Sequence, residues 1–431
     1  MKSLLTALSL TLLAAPAFAQ DAPKPDNEKR IQELERKLDI LSNQLEAKET
    51  GAMPEVQEKG RYGLGAPASK VYESKGGLSI GGYGEFLYSN LESKVQDGSH
   101  APNERSVDAL RLVLYTGYKF NDRIVFNSEL EFEHGGYSDE HRTGEARVEF
   151  AYLDFLLNKA LNVRAGMMLI PVGFVNELHE PPAFLGSRRP FAETRIIPSS
   201  WNENGVGIHG DLPGNLTYRL YLVNGLSALG RGVEGETEGF SASGIRGGRQ
   251  AGKEANAASL AWTGRLDWSF VPGAMVGASF YSGNSNQSGE GMAITTTLVD
   301  LHAEYRANGF QARGLFTTIS NSRGGVDALP LGSAPREVGT KQFGGYLEAG
   351  YDLLRGGKQA LIPFLRWERL NTQSEVVSGV VADGANDQTV LTVGVNYKPI
   401  PNIAVKADYQ KIENHARSGR NQFNIALGYY F

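Results

Sequence analysis

The sequence predicts an all-β fold, a 16-stranded antiparallel transmembrane β-barrel, preceded by an α-helical coiled-coil segment. Three observations lead there. From residue 77 to the end, apolar residues recur with a period of two in segment after segment, the spacing of strands with one apolar face. The connections alternate short and long, and the number of strands is even, as in single-chain membrane barrels. The chain also stops on such a segment: in 421–431, Phe423, Ile425, Leu427, Tyr429 and Phe431 share one parity, and Gln422, Asn424, Ala426 and Gly428 the other. An open edge in hydrocarbon would leave backbone groups unpaired, so this last strand must zip onto the first.

Composition narrows the function classes. The 52 glycines among 431 residues exceed the usual share of about 7% and suit many tight turns. There is no cysteine, which removes disulfides, thiol nucleophiles and Cys-based metal sites. The net charge of -5 comes without a Lys/Arg run, so nucleic acid is not an expected partner. Residues 1–19 read as a secretory signal peptide: Lys2, an apolar core over 4–15, then Ala17-Phe18-Ala19 before Gln20. No other stretch holds about 18 consecutive apolar residues, so spanning helices are not expected. Export without a spanning helix, together with a barrel-closing strand, points to the outer membrane of a Gram-negative cell, its lipid as surroundings and the N-terminal segment in the periplasm.

Enzymatic readings are weak. His100, His134, His141, His179, His209, His302 and His415 have no ligand spacing such as H-E-x-x-H, and the Gly244–Gly248 cluster lacks the strand–helix setting of a nucleotide loop. No catalytic residue, metal or cofactor is expected.

Taken in order, residues 20–50 form a coiled-coil helix. Ile31, Leu34, Leu38, Leu41 and Leu45 are spaced 3-4-3-4, an a/d seam with charges elsewhere. A helix of this length is marginal alone and asks for a partner. Self-association, as a trimer of barrels, and a lone helix lying on its own barrel or on peptidoglycan are both consistent with it. Residues 51–76 carry Met53-Pro54 and Ala66-Pro67 without periodicity and read as a linker.

The barrel occupies 77–431. Its strands are expected at 78–90, 106–119, 123–134, 144–158, 161–171, 205–211, 215–226, 258–271, 274–282, 293–306, 310–320, 342–354, 359–371, 388–398, 402–413 and 421–431. Tyr118, Phe120, Phe155, Phe270, Phe310, Tyr397 and Tyr429 lie beside the short turns, where an interfacial girdle would sit. In 144–158 the phase set by Val148, Phe150 and Tyr152 would put Asp154 in lipid. A bulge that resets the phase, a position near water and a subunit contact are the three ways out.

With apolar parities outward, the lumen receives Arg111, Arg123, Arg147, Arg164, Arg219, Arg265, Arg306, Arg313 and Lys406. It also receives Glu85, Glu129, Glu131, Glu133, Glu145, Glu149, Asp267, Asp300, Glu304, Glu348 and Asp408. A 16-stranded barrel is too wide for side chains to fill, so these groups are expected to face water. Pairs such as Arg147 and Glu131 either guide ions or brace the wall. Residues 172–204 form the third long connection, too long for an ordinary loop and too apolar (Phe174, Phe184, Leu185, Phe191, Ile196, Ile197) to float in water. They are expected to fold inward, with Arg188, Arg189 and Arg195 set against Glu177, Glu180 and Glu193 at a constriction, guanidinium groups being suited to an anion path.

The signal peptide, the strands with short turns, the long third loop and the terminal Phe431 resemble the trimeric porins of Gram-negative bacteria. The run PVGFVNELHEPPAFLGSRRPFAETRIIPSSWNENGVGIHG resembles the corresponding region of the phosphate-selective porin O/P family. The resemblance implies a homotrimer, recognition of the C-terminal strand by the barrel-assembly machinery, and passive diffusion of small hydrophilic solutes through a water-filled channel. That family's dense basic ladder is not matched, because acids here are as numerous as bases along the wall. The expected selectivity is therefore a mild anion preference, phosphate among the candidates. A competing reading makes the barrel an envelope tether whose coiled coil contacts peptidoglycan.

Overall fold

The computed structural model describes residues 60–135, 144–230, 238–355 and 357–431. The expected signal peptide and coiled coil lie outside the described residues. The strands are β1 (Gly77–Val95), β2 (Glu104–Asn121), β3 (Ile124–Glu133), β4 (Glu145–Leu156), β5 (Asn162–Leu169), β6 (Asn202–Leu212), β7 (Leu216–Asn224) and β8 (Leu260–Val271). They continue as β9 (Ala274–Asn284), β10 (Thr295–Ala307), β11 (Phe310–Asn321), β12 (Lys341–Tyr351), β13 (Ala360–Glu375), β14 (Asp387–Ile400), β15 (Ile403–Asn414) and β16 (Arg420–Tyr430). Each pairs antiparallel with its sequence neighbours, and β1 pairs with β16 to close the barrel. Closure runs to the last residue: Phe431 N–H donates to the Gly82 carbonyl at 2.9 Å, and Gly82 N–H to the Phe431 carbonyl at 3.1 Å. Both barrel ends therefore lie at the short-turn mouth.

The outer face is apolar all round. On β16, Phe423, Ile425 and Leu427 are 37–43% exposed, while Asn424 and Ala426 between them are buried. Trp262, Leu266, Trp268, Leu301, Phe316, Leu347, Leu365 and Trp367 continue this exposed belt. It exceeds the few hundred Å² of contiguous apolar surface that a water-soluble monomer tolerates. Tyr118, Phe120, Phe155, Phe270 and Phe310 are exposed beside the short turns.

One strand departs from the expected facing. Glu129 pairs with Phe150 but Leu130 pairs with Val148, so Glu149 is the extra residue of a bulge. Before it Val148 points outward; after it Phe150, Tyr152 and Asp154 all point inward and are buried. The phase that put Phe150 and Tyr152 in lipid is corrected, and Asp154 is fully enclosed, with two bonds from Arg164 at 2.8 and 2.9 Å.

The larger correction concerns the interior. Tyr83, Val113, Tyr115, Val125, Phe150, Tyr152, Tyr221, Val223, Tyr281 and Tyr346 line the inner wall and belong to one buried apolar cluster. Inserted segments join it, among them residues 60–76, 170–201 between β5 and β6, and the part of 225–259 that includes Phe240 and Ile245, with Ile294, Val326, Val338 and Val377 added from other connections. The first, within the stretch read as a linker, holds helix α1 (Ala66–Glu73). Eight residues make barely two turns, too few for a helical period to show in the sequence. Among the expected wall charges, Glu85, Glu129, Glu131, Glu149, Arg164, Asp300 and Lys406 are buried rather than water-facing, because protein fills the space in front of them.

The facing of β16 makes a direct prediction. Changing Phe423, Ile425 and Leu427 to Arg places charges on the apolar belt, each costing about 2–4 kcal/mol near a bilayer midplane. The variant is expected to be exported but unfolded, without heat-modifiable mobility on gels. A normally folded triple variant would refute the outward assignment.

Candidate functional site

The insertion 170–201 crosses the lumen and is bound by the opposite wall through its own backbone. Lys406 on β15 spends its three donors on the carbonyls of Pro181, Phe184 and Gly186, at 2.6, 2.8 and 2.8 Å. Lys398 on β14 donates to Pro182 at 2.8 Å, and Asp408 accepts from Ser187 N–H at 2.5 Å. At the start of the insertion Asp300 on β10 accepts from Gly173 N–H at 3.0 Å, and Arg265 on β8 donates to the Gly173 carbonyl. At its far limb Glu368 on β13 accepts from Ala192 N–H at 3.3 Å. Hydrogen bonds to charged groups contribute about 1.5–3 kcal/mol each, so the set fixes the insertion as firmly as a strand. These wall charges act as clamps for a loop backbone.

The acids of the insertion face the same wall. Glu177 is paired with Arg219 at 3.0 Å. Glu180 accepts from Tyr115 Oη at 3.2 Å. Glu193 folds back to accept from Phe174 and Val175 N–H at 2.7 and 2.6 Å, and from Tyr346 Oη at 2.7 Å. All three are buried.

The arginines behave differently and do not gather at one point as expected. Arg188 reaches β1, donating to Ser89 Oγ at 2.8 Å. Arg189 is buried and donates to Ser200 Oγ at 3.3 Å and to the His179 carbonyl at 3.4 Å. Arg195 lies exposed on the other limb, over the Phe191 ring at 4.9 Å. Two further arginines, which sequence reasoning passed over, come from the segment 225–259. Arg246 donates to the Ser199 and Thr194 carbonyls, and Arg249 to those of Pro198 and Ser200. Their signal was the R-G-G-R run in a long connection on the same mouth as the insertion. That segment also reaches across the mouth, where Thr372 Oγ1 on β13 donates to the Ala242 carbonyl at 2.7 Å. Among the described residues, none of these five guanidinium groups forms a salt bridge; carbonyls, hydroxyls and a ring hold them. Desolvation first, then the nearby charges of Arg249, Arg147 and Arg189, lower the Arg246 guanidinium to about 9.

The remaining expected wall residues pair with one another. Arg111 meets Glu85, Glu131 and Glu133 at 2.9, 3.1 and 3.0 Å, and Arg147 meets Glu131 at 3.0 Å. Glu129 lies 3.0 Å from His179 Nε2. Arg123 is not on the wall: it sits exposed on the β2–β3 turn. On the short-turn side of the insertion, Pro182–Leu185 faces Glu304, Arg306, Arg313, Glu348 and Lys398 across a pocket of about 10 Å³, room for about one water.

No family model matches the chain. A protein of Aquifex aeolicus (strain VF5) described as uncharacterized is 39% identical over 393 residues, covering 88% of this chain and 85% of that protein. Three solved structures share the barrel. OmpF of Salmonella typhi, in complex with daunomycin, is 12% identical, with a TM-score of 0.52 over 84% of this chain and 99% of its own. The anion-selective porin of Comamonas acidovorans is 12% identical, with a TM-score of 0.51 over 82% and 99%. The outer membrane channel DcaP of Acinetobacter baumannii is 12% identical, with a TM-score of 0.52 over 82% and 97%. At such identities the likeness is one of fold.

The insertion's own titration gives a stability prediction. Burial, followed by the Glu129 charge, raises the Glu180 carboxyl to about 7, against the partial offsets of His179 and Tyr115. A raised pKa means that its contribution is complete below the ordinary 4.5 and is lost as pH climbs through about 7. His179, held down to about 4 by burial and by Arg189, works the other way, losing its contribution as pH falls from 6.5 towards 4. Thermal unfolding in detergent is expected to show wild type losing stability between pH 5 and 8.5 relative to Glu180→Gln, by on the order of 3 kcal/mol. Parallel pH profiles for the two proteins would contradict this.

Proposed function

Since the chain belongs to the family of the uncharacterized Aquifex aeolicus protein, we propose a function for it that the barrel itself supports: an outer-membrane porin for passive diffusion of small hydrophilic solutes, with a mild preference for anions. The fold shared with porins and an outer channel supports the class. The apolar belt suits hydrocarbon, and the short-turn mouth, with both barrel ends, faces the periplasm in this reading. A homotrimer, joined at its N-terminal helices and assembled through the Phe431 strand, completes it.

The single observation that carries the selectivity is the opposite treatment of acids and bases in the insertion. Glu177, Glu180 and Glu193 are turned into the wall and bonded there. Arg188, Arg189, Arg195, Arg246 and Arg249 make their hydrogen bonds and ring contact with neutral groups and no salt bridge among the described residues, with carboxylates such as Asp408, Glu368 and Glu149 standing at longer range. Carbonyl dipoles orient a guanidinium without cancelling its charge, so a positive potential stands over the approach to the constriction. In a confined passage such charges act with little screening, whereas on an open wall salt screens them beyond about 8–10 Å. Phosphate is one anion that the fork of a guanidinium suits, alongside other small oxyanions.

Purified protein in a planar bilayer under a salt gradient tests this. Wild type is expected to show a zero-current potential of anion-preferring sign. Arg188→Glu combined with Arg246→Glu, the half-buried and the exposed member, should reverse that sign. A cation-preferring wild type would leave the porin class standing and overturn the selectivity; no conductance from any form would return the barrel to the role of an anchor.

A further inference from the structure

We infer that residues 60–75 are a built-in plug of the channel, seated in its short-turn mouth and releasable from it; this rests on the porin reading above. The segment enters the lumen ahead of β1 and lays α1 against the inner faces of β1, β2 and β3. The wall is shaped to receive it. A Cβ on Gly117 would stand 2.7 Å from Val71 Cβ, and one on Gly81 would stand 2.6 Å from the Pro67 carbonyl oxygen. Both sites are glycine where the helix comes closest. The wall also supplies polar partners at fixed points. Asn127 Nδ2 donates to the Ala68 carbonyl at 2.8 Å, and Lys119 Nζ to that of Ser74 at 2.9 Å. Tyr72 Oη donates to Asp154 Oδ2 at 2.5 Å, on the carboxylate that Arg164 also grips.

The turn before the helix reaches the constriction itself. Gly65 lies so close to Glu180 that a Cβ there would stand 1.9 Å from Oε1, and a Cβ on Gly63 would stand 2.2 Å from Arg219 Nη2. The plug therefore touches both the wall and the insertion, and stands in the mouth that any solute leaving the insertion must pass. Two features distinguish it from permanent lining. It is a single eight-residue helix whose N-cap, Gly65, makes no side-chain cap bond. Such a helix is not stable in water without its docking site, so leaving the wall also unfolds it. Among the described residues its contacts are with the wall and the insertion, and its C-terminal end joins the sheet where β1 begins.

The chain has no cysteine, which permits a clean test. Three forms are compared with wild type by single-channel conductance in a planar bilayer: a deletion of 60–74, Tyr72→Ala, and Val71→Cys with Gly117→Cys. A disulfide needs a Cβ separation of about 3.8 Å, so a shift of about 1 Å seats the bond. The deletion is expected to raise conductance about two-fold or more, since a barrel of this size is wide once emptied. Tyr72→Ala should open to that larger level part of the time. The oxidised cysteine pair should lose those openings and regain wild-type behaviour on reduction. A silent wild type with a conducting deletion variant also supports the plug, as a complete seal. A folded deletion variant that conducts as wild type does overturns it and leaves the porin reading intact. Should the deletion variant not fold, identical traces from Tyr72→Ala and from the oxidised and reduced pair overturn it equally. Silence from every form, deletion included, overturns the porin reading and the plug together.

Discussion

Closure of the sheet is the constraint on which everything else depends. A strand edge exposes a row of N–H and C=O groups, and an apolar surrounding offers them no partner. The sheet meets this by pairing β1 with β16, with Phe431 and Gly82 exchanging both of their backbone bonds. Sixteen strands joined in this way enclose more space than their own inward side chains can fill. The interior must therefore hold water or more protein. Here it holds a good deal of protein, from several places along the chain.

Filling the lumen creates a second problem, since inserted backbone brings polar groups into a buried space, where an unpaired one costs about 1–3 kcal/mol. The wall charges answer it. Lys398 and Lys406 supply donors where the arch 181–187 presents carbonyls, and Asp300, Asp408 and Glu368 supply acceptors where it and its limbs present amides. The buried charges gain hydrogen-bonded partners by the same contacts, which is the condition for keeping them inside at all. Ion guidance and wall bracing are both open to these residues from the sequence; in the structure most of them hold inserted backbone or pair with one another.

In the proposed reading, a chain of slightly negative net charge can still present a positive approach. Net charge averages over the whole molecule, while a passing ion meets only the groups that remain unpaired along its way. Arg195 and Arg246 are exposed on the loops, whereas Glu177, Glu180 and Glu193 of the insertion are buried. Helix α1 fills part of the mouth left open by the insertion.

The sequence by itself determined the strand number, the alternation of turns, the closing strand and the existence of the insertion, because each rests on local periodicity or on connection length. The facing of Phe423, Ile425 and Leu427 was legible for the same reason. Tertiary structure decided the rest. One bulged residue, Glu149, reverses every later side chain of β4, and a one-residue slip leaves no mark in composition. Parity separates two faces of a strand but does not say what each face meets. Once protein fills the lumen both faces can be apolar, so the inward tyrosines Tyr83, Tyr115, Tyr152, Tyr221, Tyr281 and Tyr346 could not be told from a lipid-facing row. Helix α1 was too short to declare a period, and Arg246 and Arg249 meet the insertion across about fifty positions of sequence. Which charge finds which partner is settled by long-range packing, and nothing within a single strand encodes it.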